Sequence, residues 1–95
     1  MELSICIVNW NNRQLLAECL ESIEPQRDDL QLQKVVVDNG SSDGSAEMVR
    51  ERFGWVELTA NAENRYYAGG NIQAMEQAVA PLVLLLNSDV RIPPG

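Results

Sequence analysis

The sequence predicts an α/β fold in which a mostly parallel sheet of about four strands carries helices on both faces. The first reason is that short apolar runs typical of buried strands alternate with segments of helical periodicity, in the order βαβαβαβ. The second is that the connections are long enough for helical crossovers, which are right-handed in parallel sheets. The 95 residues allow one domain at most.

The four strands are predicted at LSICIV (3–8), KVVVD (34–38), WVELTA (55–60) and LVLLLN (82–87). The first helix lies within NNRQLLAECLESIEP, where Asn11 or Asn12 can cap its start and Pro25 ends it. SAEMVRERF forms the second helix, with Ser45 as its cap. GNIQAMEQAV (70–79) forms the third helix, which opens just behind a glycine pair.

Composition and charge exclude several classes of protein. A net charge of −7 argues against a nucleic-acid binder, because phosphate neutralisation needs a basic face. No run of about 18 apolar residues predicts a membrane span, and no basic region opens the chain as a signal peptide would. Cys6 and Cys19 fall on apolar faces and are predicted to be buried thiols in a reducing compartment. The absence of histidine removes histidine metal sites and general bases.

Polar side chains follow three of the predicted strands. Asn9 ends the first strand, Asp38 the second, and Asn87 and Asp89 the fourth. Parallel strands bring these residues to the same edge of the sheet, where ligands of such folds bind. Each tip alone is typical of an ordinary strand-to-helix turn. Three tips together, with AGGN before the third helix, favour a ligand site.

Comparison with known nucleotide- and calcium-binding loops reduces the number of possible ligand classes. The first strand is followed by no G-x-G-x-x-G and the chain has no P-loop, which disfavours a dehydrogenase and a P-loop NTPase. DNGSSDGS lacks the spacing of a calcium loop. The remaining parts are a carboxylate suited to a base N–H, backbone donors suited to phosphate, and a second carboxylate suited to a hard cation. Together they predict a nucleotide-diphosphate site with a divalent metal.

Four blocks, in order and at natural spacing, resemble the family-2 glycosyltransferases of the GT-A fold: ICIVNWNNRQLLAECLESI, VVVDNGSSDGSAEMV, NAENRYYAGGNIQAM and LVLLLNSDV. The resemblance covers 3–94, and the pattern is most similar to the rhamnosyltransferase-like branch. It implies a partial GT-A (Rossmann-like) fold. It also implies inverting transfer of a sugar from a pyrimidine nucleotide-diphosphate donor to the hydroxyl of a saccharide or lipid-linked acceptor.

The resemblance also assigns roles to residues. Val8 and Asn9 belong to its base-binding loop, and Asp38 matches the acidic residue that accepts from the pyrimidine N–H. Gly69, Gly70 and Asn71 match a loop and helix start near the ribose and diphosphate.

The Asp-x-Asp block of the family corresponds to Asn87, Ser88 and Asp89. Its last carboxylate, Asp89, would coordinate Mg²⁺ or Mn²⁺ bridging the phosphates. Asn87 departs from the family by replacing an aspartate, so it can accept a hydrogen bond but adds no charge. Tyr66 departs by standing where glycine is usual, and a left-handed backbone there would cost about 1 kcal/mol or more.

Three further side chains have ordinary interpretations. Trp10 is expected to pack rather than to stack on a base. Asp43 is expected to cap the second helix or brace its turn. Arg65 is expected to be solvated.

The family's acceptor half and general base have no counterpart in the chain, so no catalytic residue is assigned. Residues 1–95 are therefore expected to form a single N-terminal nucleotide-sugar-binding portion of a glycosyltransferase, inactive alone. The alternative is a standalone nucleotide-binding or assembly module. An open sheet edge predicts self-association. The expected location is the cytoplasm. A second possibility is that the whole glycosyltransferase lies at the cytoplasmic face of the membrane.

Overall fold

The computed structural model describes residues 2–88, except for the side chains of 66–68. The predicted α/β fold is confirmed in this part of the chain. The strands are β1 (Leu3–Asn9), β2 (Leu32–Asp38), β3 (Glu57–Ala60) and β4 (Leu82–Asn87). The helices are α1 (Arg13–Ile23), α2 (Ser45–Arg52) and α3 (Tyr66–Gln77), and a 3₁₀ turn (Glu24–Gln26) containing Pro25 follows α1.

The strands form one parallel sheet in the order β3-β2-β1-β4. Asn9 of β1 lies opposite Asp38 of β2, and Val8 lies opposite Asn87 of β4. The chain adds β2 and β3 on one side of β1 and then returns to place β4 on its other side. The order therefore reverses between β1 and β4, which is where the carboxyl ends of the strands open a crevice in folds of this kind.

Alternation along the strands divides the core between two faces, because successive side chains point to opposite sides of a sheet. On one face the sheet packs against α1 and α2, with these buried residues: Ile5, Ile7, Leu16, Ala17, Cys19, Leu20, Ile23, Val36, Met48, Val49 and Phe53. On the other it packs against α3, with Cys6, Val8, Val35, Val37 and Ala74. The cysteines are free and buried, as predicted.

The predicted start of the third helix is wrong. Helix α3 begins at Tyr66, four residues before Gly70, so the glycine pair lies inside the helix. Tyr66 adopts a helical backbone, and Asn11 is the non-glycine residue with positive φ in the described chain. The family departure at Tyr66 therefore carries no left-handed strain.

A neutral polar cluster, the amino-end cluster, lies where β1 and β2 begin and consists of Ser4, Gln33 and Gln77. The Ser4 hydroxyl donates to Gln33 Oε1 over 2.6 Å, and Gln33 Nε2 donates to the Gln77 carbonyl over 2.9 Å. Gln77 Nε2 donates to Thr59 Oγ1. Backbone N–H groups of Val79 and Ala80 donate to Gln33 Oε1 and Ser4 Oγ. The cluster ties the α3–β4 connection to the sheet.

Large exposed apolar side chains are concentrated in one stretch of the described chain. We call it the α3–β4 flank: Ile72, Met75, Val79, Leu82, Val83 and Leu84. Strand β4 pairs with β1 on one side and, within the described residues, with no strand on the other. The flank is thus an open apolar surface beside an unpaired strand edge.

None of the described helices combines the length and the hydrophobicity that crossing a membrane would require.

Candidate functional site

Asn9, Asp38 and the half-buried Ser41 form a hydrogen-bonded group at the carboxyl ends of β1 and β2, which we call the carboxyl-edge cluster. Asn9 Nδ2 donates to Asp38 Oδ1 over 2.9 Å, and the Ser41 hydroxyl donates to the same oxygen over 2.6 Å. The Ser41 backbone N–H donates to Asp38 Oδ2 over 3.1 Å. Asn9 is 1% exposed and Asp38 2%. The ends of β1 and β2 therefore meet as predicted, and the Asp38 carboxylate lies inside the protein.

Two amide oxygens at this edge have no hydrogen-bond partner. Oδ1 of Asn9 and Oδ1 of Asn71 are buried and unpaired, and among the described side chains only Trp55 Nε1 shares that condition. Buried polar atoms without a partner are few in native proteins and call for an explanation. Both asparagines are among the residues predicted to contact the nucleotide.

The loops after β1 and β2 are braced against each other. The Asn11 backbone N–H donates to Ser41 Oγ over 2.9 Å, and the Ser42 N–H donates to Asn11 Oδ1 over 2.8 Å. Asn11 has φ of 50°. Asparagine tolerates this left-handed conformation better than most residues. The two hydrogen bonds stabilise this conformation and hold the two loops together.

Asp43 connects the starts of two helices. One carboxylate oxygen accepts from the Arg13 backbone N–H over 2.9 Å, at the first residue of α1. The other accepts from both the backbone N–H and the hydroxyl of Ser45, the first residue of α2. Burial acts to raise the pKa of the Asp43 carboxyl, but these hydrogen bonds outweigh it and hold the pKa below its ordinary value. The predicted bracing role is confirmed, and capping of α1 is an addition to it.

Trp10 projects from this braced region and is 52% exposed. This exposure contradicts the prediction that Trp10 packs rather than stacks. The residues on both sides of it, Asn9 and Asn11, are held by hydrogen bonds to Asp38 and Ser41. An indole is therefore presented to solvent on a fixed backbone at the carboxyl edge.

Asn39 fixes the start of α3 to the sheet. Its Oδ1 accepts from Asn61 Nδ2 over 3.0 Å and from the Arg65 backbone N–H over 3.3 Å. Asn61 and Gln73 exchange two further side-chain hydrogen bonds, of 2.7 and 2.9 Å. Because the other end of α3 contacts Gln33, where β2 begins, the helix runs antiparallel to the strands. Its first backbone N–H groups, which lack intrahelical partners, therefore lie at the carboxyl edge.

Two glycines allow close approaches at this edge. A Cβ on Gly70 would lie 2.7 Å from Val8 Cγ1 and 2.8 Å from Asn39 Nδ2, so α3 packs tightly over the end of β1. A Cβ on Gly40 would lie 2.8 Å from the Glu63 carbonyl carbon, and Gly40 has φ of 74°. Val8 thus points at α3, and Gly70 serves packing. The backbone N–H groups without intrahelical partners belong to the first turn of α3, which begins at Tyr66, before Gly69 and Gly70.

The predicted metal block is described in part. Asn87 is exposed at the end of β4 and Ser88 is buried. Asp89 lies outside the described residues. Within 2–88, no group of three or more aspartate, glutamate or cysteine side chains is arranged to hold a metal ion.

A surface cavity of about 440 Å³ lies between α1 and α2, and its lining includes no residue of the carboxyl-edge cluster. Arg13 and Arg52 line it together with Glu47 and Glu51. Charges of both signs cancel there, so the cavity has no excess positive charge for a diphosphate.

Sequence reasoning missed Ser41, Asn39 and Asn61. Their signal was present in the run DNGSSD and in Asn61, which follows the third strand as Asp38 ends the second. The contact of Ser41 with Asn9 spans 32 residues and that of Asn61 with Asn39 spans 22, so neither could be assigned without the sheet order.

Comparison with known proteins identifies the family. A model described as "Glycosyl transferase family 2" matches residues 4–95. An uncharacterized glycosyltransferase of Bacillus subtilis (strain 168), YfnE, is 32% identical over 92 residues, which cover 95% of this chain and 24% of that protein. The lipopolysaccharide core biosynthesis glycosyltransferase LpsC of Rhizobium meliloti (strain 1021) is 32% identical over 94 residues, covering 97% of this chain and 33% of that protein. The chain thus spans a quarter to a third of these relatives.

Solved structures agree with this result. The mannosyltransferase PcManGT from Pyrobaculum calidifontis, in complex with GDP-Man and Mn²⁺, has a TM-score of 0.80 at 27% identity, covering 98% of this chain and 29% of that one. TarS 1-349 of S. aureus in complex with UDP-GlcNAc has a TM-score of 0.73 at 25% identity, covering 94% and 27%. These likenesses confirm the GT-A type of fold. The chain belongs to glycosyl transferase family 2.

Proposed function

We propose that residues 1–95 form the nucleotide-sugar-binding portion of a glycosyltransferase. The whole protein would transfer a sugar from a pyrimidine nucleotide-diphosphate donor to the hydroxyl of a saccharide or lipid-linked acceptor, with inversion at the sugar carbon. The family membership supports transfer of a glycosyl group. The name of LpsC supports a role in polysaccharide synthesis. Membership of the rhamnosyltransferase-like branch and a cytoplasmic location are part of the same proposal.

The observation that carries the proposal is the carboxyl-edge cluster with Trp10 beside it. A buried carboxylate bonded to Asn9, unpaired amide oxygens and an exposed indole lie on loops that hydrogen bonds hold in place. Polar atoms that fix orientation beside an aromatic surface are typical of sites for small molecules. A pyrimidine ring can stack on the indole while its N–H meets an acceptor at the edge of the sheet.

The diphosphate would bind at the start of α3. The N–H groups of its first turn lie at the carboxyl edge, and the helix dipole favours an anion there. The exposed side chain of Arg65, the residue before α3, adds a positive charge. In this proposal Gly70 brings the helix close to Val8, and Gly69 and Asn71 on either side of it face the ribose and diphosphate.

Mg²⁺ or Mn²⁺ would be held by Asp89, with Asn87 beside it and with oxygens of the diphosphate. Asn87 is exposed at the switch point and offers the oxygen chemistry that hard cations prefer. When bound, the cation would neutralise charge on the leaving diphosphate. A single carboxylate and an amide make a weak site alone, so the nucleotide and the metal should bind together.

No carboxylate of the carboxyl edge is assigned as the general base. Asp38 and Asp43 both accept several hydrogen bonds from the loops that they hold. The proposal therefore places the base among residues outside this chain, and it expects no sugar transfer by the chain alone.

Isothermal titration with uridine, thymidine and guanosine diphosphates, each with and without Mn²⁺, tests the proposed function. We expect the two pyrimidine nucleotides to bind more tightly than the purine nucleotide, and Mn²⁺ to strengthen binding. Asp38→Ala should cost about 1–3 kcal/mol of binding free energy, as the loss of a charged hydrogen-bond partner does. Equal affinities for all three nucleotides would contradict selection of a pyrimidine base at this edge.

The alternative of an assembly module is favoured by one observation, the α3–β4 flank. Its apolar side chains border an unpaired strand edge, and no charged residue lies between Ala78 and Ser88 to protect that edge. We expect sedimentation velocity to show concentration-dependent self-association, and Leu84→Lys to reduce it. A monomer at every concentration would remove the alternative without affecting the nucleotide site.

A further inference from the structure

The loop that leaves β2 contains the one Asn-Gly pair of the chain, Asn39–Gly40. Asparagine followed by glycine is the pair most prone to deamidation in peptides, because no side chain hinders attack by the glycine nitrogen on the side-chain amide. Asparagine is one of the thermolabile residues of proteins for this reason. Whether the pair reacts is therefore decided by the conformation in which the fold holds it.

The fold holds Asn39 through both its backbone and its side chain. Its backbone N–H donates to the Asn9 carbonyl over 2.8 Å, and its Oδ1 accepts from Asn61 Nδ2 over 3.0 Å and from the Arg65 N–H over 3.3 Å. The residue is 2% exposed. Its amide carbon is therefore not free to turn toward the Gly40 nitrogen, and the fold shields it from water.

Gly40 is enclosed by the segment that connects β3 to α3, residues 61–65. A Cβ on Gly40 would lie 2.8 Å from the Glu63 carbonyl carbon. On the helix side, a Cβ on Gly70 would lie 2.8 Å from Asn39 Nδ2. Deamidation joins the Asn39 amide carbon to the Gly40 nitrogen and releases Nδ2, so it needs movement on both sides of the pair.

We propose that Asn39–Gly40 is a deamidation site that does not react while the 61–65 segment and the start of α3 are docked, and that reacts when they open. Proteins open locally at a lower free energy than they unfold globally, and loops and helix ends are the parts that open first. The inference is independent of nucleotide binding, because the reactants are the chain and water.

The reaction balances without a cofactor. The Gly40 nitrogen loses its proton to hydroxide and bonds to Asn39 Cγ. The bond between Cγ and Nδ2 then breaks, and Nδ2 takes a proton from water and leaves as ammonia. Water adds to either carbonyl of the resulting succinimide ring and opens it to aspartate or isoaspartate.

The two products differ in their effect on the fold. Aspartate keeps the backbone and an oxygen that can accept from Asn61 and Arg65. Isoaspartate routes the main chain through the former side chain and lengthens it by a methylene group, at the point where Gly40 adopts φ of 74° against Glu63. The isoaspartate product therefore prevents the 61–65 segment from docking again, and the opening becomes permanent.

Peptide mapping after incubation in mildly alkaline buffer tests the inference. Trypsin cuts after Lys34 and Arg50, and the peptide 35–50 between them contains Asn39 as its one amide side chain, so a mass increase there is unambiguous. We expect conversion to be at least about tenfold slower in the folded chain than in guanidinium chloride. Equal rates in the two conditions overturn the inference.

Two variants separate local opening from global unfolding. Asn61→Ala removes one hydrogen bond to Asn39 and the pair with Gln73, so conversion in the folded chain should be about fivefold faster. Met48→Ala is the matched control, because it weakens the core on the opposite face of the sheet and should leave the rate unchanged. A thermal melt shows whether each variant is folded, and Gln73→Ala replaces Asn61→Ala if the latter is not. No acceleration at Asn61, or equal acceleration by Met48→Ala, overturns the inference.

Amide hydrogen exchange of the purified isoaspartyl chain tests the permanent opening. We expect exchange in α3 to be faster than in the unconverted chain and exchange in α1 to be unchanged. Asn39→Asp is the control for the other product and should exchange like the unconverted chain. Unchanged exchange of α3 in the isoaspartyl chain overturns the claim that this product prevents docking. Equally fast exchange in Asn39→Asp also overturns it, because the added charge would then suffice.

Discussion

Two buried polar clusters lie at opposite ends of the same two strands, and they differ in how completely their hydrogen bonds are made. Ser4 lies opposite Gln33 where β1 and β2 begin, and Asn9 lies opposite Asp38 where they end. The amino-end cluster is neutral and none of its buried side-chain atoms lacks a partner. The carboxyl-edge cluster holds a charge and an unpaired acceptor. A complete network stabilises the fold, whereas an incomplete one at a strand end indicates a place for a ligand.

The largest effect should come from breaking the amino-end cluster. Gln33→Leu removes the partner of Ser4 Oγ, of the Val79 N–H and of the Gln77 carbonyl. Ser4 Oγ is buried and the other two groups are partly buried. A buried group left unpaired costs about 1–3 kcal/mol, so we expect a total loss of about 2–3 kcal/mol in the free energy of unfolding. Urea denaturation measures it. Gln26→Leu, the same change at an exposed position, is the control, and an equal loss there would contradict the account.

The corresponding change at the other end should be milder. Asn9→Leu removes one hydrogen bond to Asp38 but also removes the unpaired Oδ1. We therefore expect it to cost about 1 kcal/mol, less than Gln33→Leu, in the same denaturation experiment. A larger loss at Asn9 than at Gln33 would reverse the distinction between a structural and a ligand-binding cluster.

The contact between α3 and the carboxyl edge should respond to added volume. Gly70→Ala places a methyl group against Val8 and Asn39, and we expect a cost of about 1–3 kcal/mol as for other overpacked sites. Gly54→Ala is the control, because no atom lies within 4 Å of a Cβ there. If the two variants unfold at the same urea concentration, α3 does not pack on β1 as described.

Acid should weaken the braced loops slightly. The pKa of Asp43 is lowered in the fold, so its contribution is complete above the unfolded pKa of about 4 and is lost as the pH falls through the lower, folded value. The stability advantage of the unmodified chain over Asp43→Asn should therefore shrink between about pH 5 and pH 2. Denaturation midpoints across that range test it. An advantage that grows on acidification would contradict the direction of the shift.

The sequence predicted the order and type of every described α-helix and strand, because periods of two and of three to four residues are local properties. It missed the start of α3, since a glycine pair was interpreted as a helix opening. The fold uses Gly70 instead to admit Val8 and Asn39.

Of the candidate site, only the proximity of the strand ends could be predicted from the sequence. Asn9 and Asp38 follow from parallel topology, but the link from Asp43 to Arg13 spans 30 residues and depends on which loops become neighbours. Ser4 and Gln33 are each a polar residue inside an apolar strand, a pattern from which their pairing could have been predicted. In the sheet they lie opposite each other. The exposure of Trp10 could not be derived, because a tryptophan after a strand packs inward unless its loop is held.

The placement of the two tryptophans gives the chain two separate optical reporters. Trp55 meets Phe53 edge to face at 5.9 Å between ring centroids, so its fluorescence reports the core on the α1 and α2 side. Trp10 is solvent-exposed at the carboxyl edge, and if the proposed function is right its emission should be quenched by a nucleotide base. With Trp10→Phe as the reference, the difference spectrum isolates events at the edge from unfolding of the core, without any label attached to the protein.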